Sequence, residues 1–153
     1  KEEYGVALAA SQVGELLRIF VISGKVFAPK IKEGKKTLHA PPDPSRPARA
    51  EADRVFINPE ITRLSRKKSE MSEGCLSVRG KYGTVMRHEK VTIKALDESG
   101  KTVTYHGAGL VGHIFQHECD HLEGVLYTDK AIRLEEDENM HRARAKLKEK
   151  HGV

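Results

Sequence analysis

The chain has 153 residues, of which 38% are hydrophobic and 32% are charged, and its formal net charge is +5 at pH 7. This length suits one domain with a real core, so we treat residues 1–153 as a single domain. No apolar stretch approaches the ~18 residues that a membrane span needs, which excludes a membrane-embedded protein. The charge is spread along the chain and indicates either a solvated surface or contact with an anionic partner.

Small residues dominate the first segment, from Gly5 to Gly14, and such a run lets the backbone approach another group closely. Apart from the Ser11 hydroxyl, Gln12 is its only polar side chain. The Gln12 amide can donate to an anionic oxygen or satisfy nearby backbone groups, and the residues alone leave both roles open. The apolar, β-branched run from Leu17 to Ile22 predicts a strand.

The next segment is rich in Lys, Pro and Gly, and its proline cluster from Pro41 to Pro47 fits neither a helix nor a central strand. We therefore predict a long surface loop over residues 25–53. Val55 to Asn58 predicts a strand that stops at Pro59, and a second strand is expected over residues 60–68. An antiparallel hairpin is predicted further on, with strands over 85–96 and 101–106 joined by an Asp-Glu-Ser-Gly turn.

A possible metal site is carried by the hexapeptide Gln-His-Glu-Cys-Asp-His, which lies in a predicted helix from Gly109 to Leu122 that Gly124 ends. His117 and His121 are one turn apart, with about 6 Å of rise between them, so both imidazoles can reach one divalent cation. Glu118 lies about 100° further round the helix, where it can accept a proton from a water on the metal. This spacing predicts metal-assisted hydrolysis.

Cys75 is the candidate for the third ligand, because a thiolate is a common partner of two histidines. The glycines around it suggest a tight turn or bulge that would project the thiol. Cys119 lies inside the two-histidine element, where a disulfide to Cys75 would compete with metal binding. Both cysteines are therefore expected to be reduced.

After the helix, residues 125–127 predict a short extended piece, and residues 131–151 predict an exposed helix that is acidic first and basic later, as the helix dipole favours. Strand-rich segments followed by helices predict an α+β domain. Its antiparallel sheets are expected to pack around a central metal-binding helix, with a second helix at the C-terminus.

Three motifs in this order resemble those of the peptide deformylase family: Gly5 to Gln12, Glu73 to Ser77, and Gln116 to Leu122. The resemblance implies removal of the N-formyl group from the initiator methionine of nascent peptides, with release of formate. It implies a divalent metal held by Cys75, His117 and His121, with Fe2+ expected and Zn2+, Ni2+ or Co2+ also accepted. The enzyme is then expected in the cytoplasm of a bacterium or in an organelle of a eukaryote.

The family's pattern also assigns roles around the metal. It makes Glu118 the general base, and it makes the Gln12 side-chain amide and the Leu76 backbone N–H the donors to the formyl oxygen. The substrate contacts that the resemblance implies are Gly5, Gly74, Tyr82, Leu110, His113 and Ile114.

Three departures from the family pattern stand out. Ala7 replaces the second glycine of the first motif, and its Cβ would cost roughly 1 kcal/mol or more and shift Gln12 if that position needs a positive φ or a close approach of the substrate. The resemblance implies that His113 lies at the wall of the methionine pocket, where we expect it to narrow the pocket or to cap its rim. The helix that usually precedes the first motif is absent, and we expect that it was cut off or is replaced by a partner.

Two other classes of protein compete with a deformylase. The first is a metallopeptidase that uses the same two-histidine helix, and the second is a non-catalytic, ribosome-associated module with a structural metal. Residues 139–153 contain five Arg and Lys side chains and one Glu, so this segment has a strong positive charge. The charge predicts either a solvated terminus or docking on ribosomal RNA.

Overall fold

The protein, obtained as a computed structural model, is described over residues 5–27, 30–33, 36–39 and 52–136. Antiparallel strands make up most of this part of the chain, and helices are few, in keeping with the α+β class that the sequence predicts. The largest sheet has five strands, in the spatial order β1 (Ala7–Ala9), β2 (Ile19–Ile22), β5 (Arg54–Leu64), β8 (Lys90–Leu96) and β9 (Thr102–Ala108).

The remaining strands form two smaller sheets. One has the order β10 (Ala131–Glu136), β7 (Val78–His88) and β6 (Lys68–Cys75), and the other pairs β3 (Lys30–Glu33) with β4 (Lys36–His39). The helices are α1 (Leu110–Leu122), α2 (Tyr127–Lys130) and two short 3-10 helices, Ala10–Val13 and Gly24–Phe27. Within the described residues, no helix is long and apolar enough to cross a membrane.

The core lies between the five-stranded sheet and α1. Alternate residues of β2, β5 and β8 point inward, so Phe20, Phe56 and Ile93 are fully buried. The Phe20 and Phe56 rings stack with centroids 4.7 Å apart, and Phe115 of α1 meets Phe56 edge-on at 5.4 Å. These contacts hold the helix against one face of the sheet.

A backbone contact brings α1 especially close to β9. A Cβ atom on Gly107 would lie 2.8 Å from the Gly112 nitrogen and 2.8 Å from Phe115 Cε2. In return, a Cβ atom on Gly112 would lie 2.9 Å from the Gly107 oxygen. Both positions need glycine because no side chain fits between the strand and the helix.

The helix predicted from Gly109 to Leu122 is present, and Gly124 follows it with a φ of 72°. The predicted stop at Pro59 is wrong, because β5 continues from Arg54 to Leu64. Asn58 adopts a φ of 48°, and the register with β8 shifts between Ile57 and Glu60. A bulge therefore accommodates Pro59 within β5, and the strand stays continuous because it pairs with β2 on one side and with β8 on the other.

The loop predicted over residues 25–53 contains regular structure, since the 3-10 helix Gly24–Phe27 and the hairpin of β3 and β4 lie within it. The alternating pattern of these two strands was hidden by their lysine-rich composition. Residues 40–51, which include the proline cluster, lie outside the described residues.

Of two predictions after α1, one is confirmed in part and one is wrong. Leu126 is extended, as predicted for residues 125–127, but Tyr127 already begins α2, where Asp129 Oδ2 accepts a hydrogen bond from the Leu126 N–H at 2.8 Å. The predicted helix over 131–151 begins as strand β10, which pairs with β7. Long-range pairing with β7 overrides the local helix pattern there. Residues 137–153 lie outside the described part of the chain.

Gly107→Ala should lower the free energy of unfolding by about 1–3 kcal/mol, because overpacking here pushes α1 away from β9. Urea denaturation measures this change. Gly5→Ala is a suitable control, since its Cβ would meet only Leu76 Cδ1, at an ordinary 3.6 Å. Equal stabilities for the two variants would show that the strand and helix can separate at little cost.

Candidate metal centre

Three potential ligand atoms converge between β6 and α1. Cys75 ends β6, and His117 and His121 lie one turn apart on α1. The Cys75 Sγ lies 3.2 Å from His121 Nε2, which is 3.1 Å from His117 Nε2. All three atoms lie within 4.8 Å of one another. Sequence reasoning grouped these residues although His117 lies 42 positions after Cys75 in the chain.

The donor set fits a divalent metal ion. Tetrahedral ligation by one thiolate and two imidazoles puts the donor atoms roughly 3.3–3.6 Å apart, so the two distances from His121 Nε2 need to lengthen by only a few tenths of an ångström. The Nδ1–H of His117 donates to Glu73 Oε2 at 2.7 Å, which leaves its Nε2 to face the other two donors. This is the arrangement that a metal-binding histidine requires.

The charges of the metal-free site also suit a cation. Burial alone would raise the pKa of the Cys75 thiol, but hydrogen bonds from His117 and His121 lower it to about 5. Burial alone would lower the pKa of His117, but hydrogen bonds to Cys75 and Glu73 raise it to about 9. The sulfur is thus a thiolate at neutral pH, and a metal ion would displace the imidazole proton that balances it.

Glu118 lies between the two histidines on α1, with 3% of its surface exposed. Burial raises the pKa of its carboxyl group to about 7, even though His117 and His121 act in the opposite direction. Its Oε2 is a buried atom without a hydrogen-bond partner among the described residues. A carboxylate that is available for proton transfer near neutral pH has these properties.

Gln12 reaches the same centre from the 3-10 helix Ala10–Val13. Its Nε2 lies 3.3 Å from the Cys75 sulfur, and its Oε1 accepts a hydrogen bond from the Ala9 N–H at 2.9 Å. Leu76 follows Cys75 in the turn between β6 and β7. The structure therefore brings the predicted oxyanion donors, Gln12 and the Leu76 backbone, to the side of the candidate metal site.

Comparison with known proteins identifies the family. The sequence model of the polypeptide deformylase family matches residues 1–137. The chain belongs to this family. It is 40% identical over 126 residues to the peptide deformylase of Thermomicrobium roseum, covering 82% of this chain and 62% of that protein. It is 39% identical over 144 residues to the peptide deformylase of Caulobacter vibrioides, covering 94% and 69%.

Solved deformylase structures share the fold. A peptide deformylase from Synechococcus elongatus in complex with actinonin matches with a TM-score of 0.64 and 33% identity, over 84% of this chain and 57% of that one. Arabidopsis thaliana peptide deformylase 1B, in complex with an inhibitor, matches with a TM-score of 0.65 and 31% identity, over 97% and 73%. The chain thus spans between about half and three quarters of the length of these deformylases.

The six predicted substrate contacts differ in their surroundings. Leu110 and Tyr82 are exposed by 41% and 49%, whereas Ile114 is buried in the core at 5%. A Cβ atom on Gly74 would lie 2.8 Å from Tyr82 Cε1, so this glycine allows the ring to lie against β6. A Cβ atom on Gly5 would meet only Leu76, at 3.6 Å.

His113 has a specific partner that the sequence did not reveal. Its Nε2 lies 2.8 Å from Glu73 Oε1, and its Nδ1 is buried without a partner among the described residues. The side chain is therefore turned toward the carboxylate that also holds His117. His113 therefore shares the Glu73 carboxylate with His117, one of the candidate metal ligands.

Ala7 does not strain the backbone of this deformylase-family chain. It is an extended residue of β1 that pairs with Ile22 of β2. Asn58 is the non-glycine residue with positive φ in the described part of the chain. The Cβ atom of Ala7 therefore causes no strain in the backbone at this position.

Sequence reasoning missed the buried carboxylate that organises the ligands. Glu73 Oε1 accepts hydrogen bonds from Arg87 Nε at 2.6 Å and His113 Nε2 at 2.8 Å. Its Oε2 accepts from Arg87 Nη2 at 3.0 Å and His117 Nδ1 at 2.7 Å. Burial alone would raise the pKa of Glu73, but these bonds hold it well below its usual range. The Glu-Gly-Cys motif carries Glu73, yet its partners come from β7 and α1.

The same network continues to the surface through Arg87. Its Nη1 donates to Asp120 Oδ2 at 2.6 Å, and Lys130 Nζ donates to Asp120 Oδ1 at 2.6 Å. Burial alone would lower the pKa of Arg87, but the hydrogen bonds to Glu73 and Asp120 raise it. The guanidinium therefore stays charged, and it ties β7 to both β6 and α1.

Glu73→Gln should weaken zinc binding by about 10- to 100-fold, because an amide holds His117 less well in the tautomer that frees Nε2. It should also lower the stability of the metal-free protein by about 3–5 kcal/mol, since Arg87 then lacks its buried partner. Chelator competition and urea denaturation measure the two effects. Glu70→Gln, an exposed change on the same strand, should alter neither. Unchanged zinc affinity in Glu73→Gln would contradict the assigned role.

Proposed function

We propose that this chain is a metal-dependent deformylase that removes the N-formyl group from the initiator methionine of nascent peptides and releases formate. The observation that carries the proposal is the convergence of Cys75, His117 and His121 beside Glu118 and Gln12. Membership of the deformylase family supports it. Such a reaction belongs in the cytoplasm of a bacterium or in an organelle of a eukaryote.

Cys75, His117 and His121 would hold the metal ion, for which we propose Fe2+ as the native species, with Zn2+, Ni2+ or Co2+ as substitutes. The bound ion would supply Lewis acidity, by which it acidifies a water and polarises the formyl carbonyl. Three protein ligands suit this chemistry, because they leave a coordination position open.

Glu118 transfers the proton in this proposal. Its pKa of about 7 allows the carboxylate to accept a proton from the attacking water at neutral pH. The same carboxyl group then delivers that proton to the nitrogen of the leaving amine, so the C–N bond breaks with formate and a free N-terminus as products. The burial of Glu118, which has 3% of its surface exposed, keeps bulk water from competing for the proton.

Negative charge develops on the formyl oxygen during the attack, and we propose the Gln12 Nε2 and the Leu76 backbone N–H as its donors. The position of Gln12 Nε2, 3.3 Å from the Cys75 sulfur, supports this role, and Leu76 is the next residue along the chain. A donor of this kind typically contributes about 3 kcal/mol to transition-state stabilisation.

The substrate distinguishes a deformylase from a metallopeptidase or a structural metal protein. We expect formate release from formyl-Met-Ala, little release of acetate from acetyl-Met-Ala and no cleavage of internal peptide bonds. The assay is performed on anaerobically purified protein whose metal content is measured. Cleavage of internal bonds without a formyl group would favour a metallopeptidase, and inactivity with full metal occupancy would favour a structural metal.

Glu118→Gln should keep its metal and lose about 100- to 10,000-fold in kcat, because an amide cannot accept the proton. Cys75→Ala should instead lose metal, since the thiolate ligand is removed. Formate release and elemental analysis measure the two changes. Glu123→Gln alters only an exposed pair with Arg18 and serves as the control. Full metal occupancy in Cys75→Ala would refute its place in the ligand set.

We further propose that the basic tail, residues 139–153, docks on ribosomal RNA, where a deformylase would meet its substrates. The support is its charge, with five Arg and Lys side chains against one Glu. Truncation after Met140 should weaken ribosome binding while leaving turnover of formyl-Met-Ala near that of the intact chain. Binding should also fall steeply with salt, because phosphate contacts release counterions. Binding that is indifferent to salt and truncation would contradict the proposal.

A further inference from the structure

The Ser77 hydroxyl contacts the residue that we propose as the side-chain donor to the formyl oxygen. Its Oγ lies 3.0 Å from Gln12 Nε2, closer than the Cys75 sulfur at 3.3 Å. Ser77 lies in the turn between β6 and β7, whereas Gln12 belongs to a 3-10 helix some 65 residues earlier in the chain. A contact between segments so far apart in sequence depends on the tertiary fold, and motif spacing does not reveal it.

The orientation of the Gln12 amide follows from its other contact. The Ala9 backbone N–H can only donate, so the amide atom 2.9 Å from it must be the oxygen, Oε1. The nitrogen therefore faces Ser77 and Cys75, and Ser77 Oγ must be the acceptor of the bond between them. Ala9 is fully buried, which makes loss of its hydrogen bond costly and opposes a flip of the amide.

The Gln12 nitrogen has two hydrogens, and two acceptors lie at hydrogen-bonding distance from it, Ser77 Oγ at 3.0 Å and the Cys75 sulfur at 3.3 Å. We assign one hydrogen to each acceptor. An amide group is planar, so two anchored directions, at Oε1 and at the hydrogen held by Ser77, fix its plane. The direction of the remaining hydrogen then follows without further contacts, and it points to the side where the metal ligands converge.

The two acceptors differ in how firmly they would hold the amide. The Cys75 sulfur already accepts a hydrogen bond from the Ser77 N–H at 3.4 Å, and sulfur is a weak acceptor. Donation of its electron pairs to a metal ion would weaken it further. The hydrogen that faces Cys75 is therefore the one free to turn to a substrate oxygen, while the bond to Ser77 is kept.

We infer that Ser77 is a positioning residue, which fixes the Gln12 amide so that one of its hydrogens is directed at the formyl oxygen. The inference rests on the proposed function. It adds a residue to the reaction that need not touch the substrate and that acts through Gln12. Without the hydroxyl, the amide keeps its anchor at Ala9 and the weaker contact with the Cys75 sulfur, and it can rotate away from the productive direction.

Ser77→Ala, with Ser77→Thr as the conservative variant, tests the inference. In Ser77→Ala, kcat for formyl-Met-Ala should fall about five- to ten-fold, the effect expected for one neutral hydrogen bond, with KM and metal content unchanged. Ser77→Thr should recover most of kcat, because it restores a hydroxyl. Ser72→Ala removes an exposed hydroxyl from β6 and should leave kcat unchanged.

A second measurement observes Gln12 directly and does not depend on turnover. In the 15N-labelled zinc form, the two side-chain amide protons of Gln12, assigned by their absence from Gln12→Leu, should have shifts displaced from those of a solvated glutamine amide and slow solvent exchange. Ser77→Ala should move the shifts toward the solvated values and speed exchange, and Ser77→Thr should reverse both effects. An unchanged Gln12 signal or an unchanged kcat in Ser77→Ala would overturn the inference, as would parallel losses of metal and stability that threonine does not restore. If the unaltered protein releases no formate, the proposed function fails, yet the amide signals still test whether Ser77 positions Gln12.

Discussion

The four hydrogen bonds to the Glu73 carboxylate are the interaction on which the rest of the site depends. Each oxygen accepts one bond from Arg87 and one from a histidine, His117 or His113. This arrangement neutralises a charge that burial would otherwise disfavour, and it sets the tautomer of His117. It also links β6, β7 and α1, so the elements that carry the candidate ligands cannot shift independently.

Two buried carboxylates next to each other in space have opposite properties for physical reasons. Glu73 has a full set of donors, so its pKa stays well below the usual range despite burial. Glu118 has an oxygen without a partner among the described residues, so burial dominates and raises its pKa to about 7. When the environments of two carboxyl groups move their pKa values apart, the two groups can perform different roles. Glu73 is suited to holding charge, and Glu118 is suited to exchanging a proton.

The departures from the family pattern become interpretable in this setting. Ala7 lies in an extended strand, so its side chain is compatible with the backbone there. His113 donates to the same carboxylate as His117, which makes it part of the support of the ligands. The close approach of Gly107 and Gly112 determines how near α1 comes to β9.

The sequence by itself determined which side chains form the candidate metal site and where the elements with strong local patterns lie. The i, i+4 histidines with Glu118 between them, the motif around Cys75 and the hairpin of β8 and β9 are visible because their signals are local in the chain. Only the tertiary structure decided that residues 131–136 form a strand, that β5 passes through Pro59, that Arg87 and His113 contact Glu73, and that Ser77 contacts Gln12. These outcomes depend on pairing and hydrogen bonds between residues far apart in sequence, whose energies no local pattern records.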